Sequence, residues 1–254
     1  KNTDGEVYAD LGEANRLAGN YNDAESAYAT AKDLLSRNPE VSKVEIADLY
    51  SKIGYSIGRQ CEINMRQAIA CRWPMAIIAF QKAVEFGGDA VDYANLGWAY
   101  YNAARVDINA RRPEAARPNL VFAKTNLERA LMGSPKIAYG VLQNLGGVQI
   151  DLGDFQGAIA SLKPIISRQP NWTFSKYALG TAYFKVNDFD NASKMFNAAL
   201  ADDPNNVNFL TSLGSTEIKR RNGKEIKKVV DRLRKLDPNA ATNIEQQAKF
   251  AGIK

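Results

Sequence analysis

The sequence is built on a 34-residue unit: residues 139–172 read YGVLQNLGGVQIDLGDFQGAIASLKPIISRQPNW, and residues 173–206 read TFSKYALGTAYFKVNDFDNASKMFNAALADDPNN. Four features of the first stretch return 34 residues later, with Leu145-Gly146, Phe155, Ala158 and Pro170 answered by Leu179-Gly180, Phe189, Ala192 and Pro204. The register continues at Leu213-Gly214 and Pro238. A fixed period of this length predicts a stack of repeated helix pairs.

The recurring residues resemble those of the tetratricopeptide repeat, in which a small residue sits where the two helices cross and a proline closes the unit. The resemblance covers nearly the whole chain and implies an all-α, right-handed α-solenoid of about six helix pairs with a C-terminal capping helix. We expect a single solenoid over residues 1–254. Its units are predicted at about 5–46, 47–89, 90–138, 139–172, 173–206 and 207–240, with the capping helix at 241–254.

The second and third units are longer than the others. A glycine and an alanine that are 12 residues apart in the 139–172 unit are 22 apart in the second unit, at Gly54 and Ala76. About ten residues, roughly Cys61 to Ala70, are therefore predicted to be inserted between its helices. In the third unit about fourteen residues are inserted within Arg105 to Asn119, where prolines predict a break between helices. Such insertions often emerge on the binding side of a solenoid.

Composition argues for a non-catalytic protein. The 254 residues are 45% hydrophobic and 24% charged, as in an ordinary soluble protein, and no apolar run approaches the roughly 18 residues of a membrane helix. Histidine is absent, which excludes Ser-His-Asp and Cys-His catalysis and every imidazole-based metal site. No phosphate-binding glycine motif occurs either. We therefore expect no enzymatic activity, no cofactor and no metal.

The two cysteines, Cys61 and Cys71, border the insertion of the second unit. On one continuous helix they would be about 15 Å apart, too far for a disulfide, whereas a segment that folds back would let them bridge. A disulfide and two buried thiols are both compatible with the sequence. A disulfide would indicate an oxidising, extracytoplasmic compartment, and free thiols would be consistent with the cytoplasm, so the sequence leaves the localisation open.

The resemblance also implies which surface binds a partner. In this family one stripe of the first helix of each pair lines a concave groove, and here it takes the second, fifth, ninth and twelfth residues of each unit. The candidate partner-binding residues on that stripe are Tyr55, Trp98, Tyr101, Gln143, Ile150, Phe174, Tyr177 and Phe184. Other stripe positions are Glu13, Arg16, Asp48, Ser51, Val91, Thr181, Thr211, Ser215 and Ile218.

Aromatic residues dominate the middle of this stripe, and aromatics carry much of the binding energy of protein interfaces. Replacing Trp98 by alanine is therefore predicted to weaken partner binding by more than about 1 kcal/mol while leaving the fold intact. The alternative is that these aromatics pack against neighbouring helices.

Three functional hypotheses follow. The leading one is a protein–protein interaction module or scaffold that holds a peptide or helix of a partner in the aromatic groove. In the second, an anionic polymer binds the arginines of Arg105–Arg117 and the segment Lys219–Lys235, which carries nine Lys and Arg against Glu225 and Asp231. Nucleic acid is the less favoured partner. The third is self-assembly into a homo-oligomer through exposed terminal repeats.

Overall fold

The computed structural model describes residues 3–67, 70–134, 138–168 and 172–253. Within these ranges the chain forms thirteen α-helices and no strand, so the predicted all-α solenoid class is confirmed. The chain divides into two compact units, residues 1–144 and 145–254, whose boundary falls inside one helix. Each unit is described by itself. Pro170, expected to close the fourth repeat, lies outside the described residues.

The first unit contains six helices and the start of a seventh within its described residues. They are α1 (Asp4–Leu17), α2 (Tyr21–Leu35), α3 (Lys43–Arg66), α4 (Trp73–Glu85), α5 (Ala90–Asn109), α6 (Pro113–Gly133) and the first half of α7 (Ala138–Leu152). The second unit continues with the end of α7, then α8 (Phe155–Arg168), α9 (Thr173–Lys185), α10 (Phe189–Asp202), α11 (Val207–Lys219), α12 (Gly223–Leu236) and α13 (Pro238–Phe250). Paired helices pack against each other, as α1 does on α2 and α9 on α10.

A glycine on the first helix of a pair lets a large side chain of the second helix lie directly against its backbone. A Cβ atom built on Gly12 would lie 2.6 Å from the ring of Tyr28, and one on Gly180 would lie 2.8 Å from the ring of Phe196. A Cβ atom built on Gly146 would likewise lie 2.5 Å from the Leu162 side chain. Because such distances leave no room for a methyl group, the helices can approach this closely only where the residue is glycine.

The seventh residue is a buried core position in the third to sixth repeats, is partly buried at Ile53 of the second, and is open in α1. Leu96, Leu145, Leu179 and Leu213 are at most 5% exposed. Their counterpart Leu11 is 49% exposed, and its neighbour Tyr8 is 40% exposed. The preceding helix packs against α5, α9 and α11, whereas α1 is the first described helix. The predicted packing face of α1 is thus an open apolar surface.

The inserted residues lengthen helices. The segment predicted to be inserted at Cys61–Ala70 continues α3 without interruption to Arg66, so α3 has 24 residues. In the third pair the two helices are separated only by residues 110–112. Pro113 can begin α6 because a residue in the first helical turn needs no N–H for the helix. The break predicted within Arg105 to Asn119 is therefore present before Pro113, and Pro118 lies inside α6.

Two helices begin earlier than the sequence suggested. The second unit was predicted to open near Ala47, but α3 begins at Lys43, after Ser42. The Ser42 hydroxyl accepts a hydrogen bond from the Glu45 N–H, and the Glu45 carboxylate accepts one from the Ser42 N–H. The final helix begins at Pro238, not at residue 241, because Asp237 caps the N–H groups of Asn239 and Ala240. No helix among the described residues is long and apolar enough to cross a membrane.

Cys61 and Cys71 form a disulfide, with 5.0 Å between their Cα atoms. Cys61 lies within α3, and the chain reverses after that helix and brings Cys71 back just before α4. Two residues later Trp73 is 1% exposed, so the bridge adjoins the buried start of α4. The disulfide therefore closes a short loop at the base of the third and fourth helices.

We expect the disulfide to stabilise the first unit. Closing a loop of this length restricts the unfolded chain by roughly 2–3 kcal/mol, so reduction should lower the melting temperature in a circular dichroism scan. The Cys61→Ala/Cys71→Ala variant should melt at the same lower temperature with or without reductant. Two titratable thiols in the purified, unreduced protein would contradict the bridge.

Candidate functional site

The second unit contains a hollow of about 730 Å³ lined by stripes of α9, α11 and α13, which we call the C-terminal hollow. Helix α9 contributes Tyr177, Thr181 and Phe184, and α11 contributes Thr211, Ser212, Ser215, Ile218 and Lys219. Helix α13 contributes Asn243, Gln246, Gln247 and Phe250. The spacing of three, four and seven residues places each set on one face of its helix. Six of the stripe positions predicted on α9 and α11 are thus brought together: Tyr177, Thr181, Phe184, Thr211, Ser215 and Ile218.

Tyr177 and Phe196 form the aromatic floor of the C-terminal hollow. The Tyr177 ring stacks on Phe209 at 4.8 Å between centroids and lies 5.6 Å from Phe196. Its hydroxyl is 3.3 Å from the Ser212 Oγ. Phe196 is the same residue that packs against Gly180, so the floor is continuous with the core. The floor is therefore fixed by packing before any ligand binds.

The rim supplied by α13 is polar except for one aromatic residue. Asn243, Gln246 and Gln247 are exposed, and the Gln247 side-chain amide donates a hydrogen bond to Asn243 Oδ1 at 2.5 Å. Phe250 is 97% exposed. Sequence reasoning treated α13 only as a cap and missed this rim. The signal was an amide stripe that ends in a phenylalanine within an otherwise polar stretch.

A smaller hollow of about 360 Å³ lies in the first unit, and we call it the N-terminal hollow. Six of its eight lining residues are predicted stripe positions; the eight are Glu13, Arg16, Asp48, Ser51, Lys52, Tyr55, Val91 and Asn95. Its charges are already paired, since Arg16 Nε donates to Glu13 at 2.9 Å and Lys52 lies 2.8 Å from Asp48. Little unsatisfied charge remains there for a partner.

Glu13 is the most strongly perturbed acid of the N-terminal hollow. Hydrogen bonds donated by Arg16 and by the Tyr28 hydroxyl, the latter at 2.7 Å, lower the pKa of Glu13 to about 2. Because its pKa falls on folding, the stabilisation that it gives is complete above its ordinary pKa and is lost as pH falls toward 2. The carboxylate stays ionised at physiological pH and ties α1 to α2.

Two of the predicted aromatic binding residues are engaged in packing. Trp98 is half-buried, with its ring 5.2 Å from Trp73 and 6.4 Å from Phe80, and it lies against the backbone of Gly58. Tyr101 is only 8% exposed, which corrects the expectation of an accessible groove residue. The lengthened helix α5 packs extensively on α6, and the Arg105 guanidinium lies 6.0 Å from the Tyr101 ring.

The remaining predicted residues are dispersed. Tyr55 lines the N-terminal hollow, and its ring lies 6.2 Å from that of Trp98. Gln143 and Ile150 are half-buried on α7 and line neither hollow. Phe174, near the start of α9, is 47% exposed and lies outside the C-terminal hollow. Across the described ranges, no group of three or more Cys, Asp or Glu residues could hold a metal ion.

Comparison with known proteins agrees with this architecture. Residues 177–241 match the sequence model of the tetratricopeptide repeat. That segment includes every lining residue that α9, α10 and α11 give to the C-terminal hollow. No curated protein sequence matches the chain.

Solved structures of repeat proteins share the fold at low sequence identity. The chain is similar to a chain in the crystal structure of the APC/C hetero-tetramer Cut9-Hcn1, with 16% identity and a TM-score of 0.63. The match covers 96% of this chain but only 42% of that one. It is also similar to YrrB, described as a TPR protein with an unusual peptide-binding site, with 18% identity and a TM-score of 0.63. That match covers 84% of this chain and 96% of YrrB. PilW, a type IV pilus biogenesis factor, is similar with 16% identity and a TM-score of 0.63, and the match covers 96% of this chain and 99% of PilW.

The packing of Trp98 predicts a loss of stability when it is truncated. Trp98→Ala should lower the free energy of unfolding by roughly 2–4 kcal/mol, because a cavity opens between α3, α4 and α5. Phe122→Ala is a matched control in the same unit, since Phe122 is 52% exposed and stacks only on Tyr100 among the described rings. It should cost less than about 1.5 kcal/mol in urea denaturation. An unchanged Trp98→Ala transition would instead favour the original groove prediction.

Proposed function

We propose that this protein is an interaction module that binds a peptide segment of a partner in the C-terminal hollow. The chain has the tetratricopeptide-repeat fold and matches that repeat at residues 177–241. The observation that carries the proposal is the hollow itself, formed by three helical stripes with an aromatic floor and a polar rim. Such a combination, apolar surface with a few convergent polar groups, is typical of ligand sites.

The dimensions and chemistry of the hollow suit a peptide. A volume of about 730 Å³ accommodates several side chains, and Tyr177, Phe184 and Phe196 offer rings on which an apolar side chain can pack. Thr211, Ser215 and Gln246 have no hydrogen-bond partner within the described residues, so they are free to bond the main chain of a guest. Aromatic anchors with adaptable polar neighbours resemble the central part of a protein interface.

The second unit is a better candidate than the first. In the N-terminal hollow the charged side chains satisfy one another, and Trp98 and Tyr101 are occupied by packing. In the C-terminal hollow Phe250 is almost wholly exposed, and a large apolar side chain at a concave rim gains most when a partner covers it. The similarity in fold to YrrB, a TPR protein with an unusual peptide-binding site, is consistent with this proposal.

A second candidate function rests on the outer face of α12. Four exposed cations there and in the preceding turn, Arg221, Lys224, Lys227 and Lys235, have no ion-pair partner within the described parts of the chain. An acidic polymer that bound this face would release counterions, so its affinity would fall steeply with salt. Salt-independent binding, or no binding at low salt, would exclude this candidate.

Phe250→Ala tests the peptide-binding proposal without disturbing the core. Peptides would be selected from a displayed random library on the wild-type protein, and their affinity measured by fluorescence anisotropy. Because Phe250 is exposed in the free protein, its truncation should leave the melting temperature unchanged. It should weaken the binding of the selected peptides by about tenfold or more, which corresponds to a loss of about 1.4 kcal/mol in binding free energy.

Phe174→Ala is the matched control, because it removes an exposed phenylalanine of the same unit that lies outside the hollow. It should leave the affinity within about twofold of wild type. Failure of any peptide to be enriched, or equal losses in the two variants, would count against the C-terminal hollow as the binding site.

A further inference from the structure

We propose that the C-terminal hollow selects peptide segments in which an acidic side chain lies next to a large apolar one, with Lys219 as the residue that determines this specificity. The inference deepens the proposed function and rests on it. Lys219 is the last residue of α11 and the one charged residue among the described residues that line the hollow.

The ammonium group of Lys219 is available to a ligand. The residue is exposed, and within the described residues it makes no hydrogen bond or ion pair. Its neighbour Arg220 differs, because its guanidinium binds Glu217 and Asp190, each at 2.9 Å. Of these two consecutive cations, one is part of the internal structure and the other is open to a partner.

The acids of α11 and α13 do not neutralise Lys219. Glu217 on α11 is 1% exposed and is held by Ser193, Arg220 and Asn222, with the Ser193 hydroxyl at 2.5 Å. Glu245 on α13 pairs with Arg234 of α12. Both carboxylates therefore have their own partners. A hollow whose described lining carries one charge, that of an unpaired cation, is complementary to a carboxylate.

The apolar part of the specificity follows from the neighbours of Lys219. Consecutive helices joined by short turns run antiparallel, so α9, α11 and α13 share one direction and their last turns lie at the same end of the hollow. Phe184, Lys219 and Phe250 all belong to these last turns. A guest segment that meets Lys219 with a carboxylate therefore meets two phenylalanine rings with the adjacent side chain.

Charge reversal at Lys219 tests this specificity directly. A displayed library of random peptides would be selected in parallel on the wild type, Lys219→Glu, Lys219→Met and Lys224→Glu. The last variant reverses an exposed lysine of α12 that does not line the hollow. We expect wild type and Lys224→Glu to enrich peptides with Asp or Glu beside an aromatic or aliphatic residue. Lys219→Glu should enrich Lys or Arg there, and Lys219→Met should enrich the apolar residue alone.

Affinities of a single selected peptide complete the test. Lys219→Glu should weaken the binding of this peptide at least tenfold. Replacing the acidic residue of the peptide by the corresponding amide should weaken its binding to the wild type several-fold and its binding to Lys219→Met hardly at all. Enrichment of apolar peptides without an acidic preference would overturn the role of Lys219 and leave the proposed function standing. Absence of any enrichment on all four proteins would overturn both.

Discussion

The contact between a glycine on one helix and a bulky side chain on the next is the constraint on which the helix pairs depend. Gly12, Gly97, Gly146 and Gly180 each approach a ring or a leucine so closely that a methyl group would collide with it. Because a packed interior tolerates little change of volume, each contact fixes how near its two helices lie. At Gly180 the opposing ring belongs to Phe196, which also lies in the floor of the C-terminal hollow, so the same contact shapes the core and the site.

The apolar surface of the first described helix is open, whereas that of the last helix pair is covered. Leu11 on α1 is open at a position that is buried in the third to sixth repeats. Helix α13 instead covers the last pair with Ala241, Ile244 and Ala248 and turns polar residues outward. The same helix then adds a wall to the hollow that the repeats alone would leave wider. In the proposed function this terminal helix has two roles, because one face packs on the last pair and another would contact the bound peptide.

Much of the fold could be predicted from the 34-residue period, and the site only in part. The period placed the repeats, and the resemblance to the tetratricopeptide repeat then indicated the glycine contacts and the stripe residues Tyr177, Thr181 and Ser215. The burial of Tyr101 could not be predicted, because it depends on how far α5 and α6 extend. The start of α3 at Lys43 reflects the hydrogen bonds between Ser42 and Glu45, which a repeat period does not report, and Pro118 lies inside α6 against the usual preference of proline. Whether Lys219 has a partner depends on Arg220 and Arg234 taking the nearby acids, which only the three-dimensional structure reveals.

The most direct measurement is an NMR titration of isotope-labelled protein with a peptide selected on the wild type. We predict that the amide signals of Thr181, Ser215, Gln246 and their neighbours shift as the peptide is added, while those of the outer face of α12 and of the N-terminal hollow remain in place. Shifts confined to Lys224, Lys227 and Lys235, or to Glu13 and Tyr55, would contradict recognition in the C-terminal hollow and place the binding surface elsewhere.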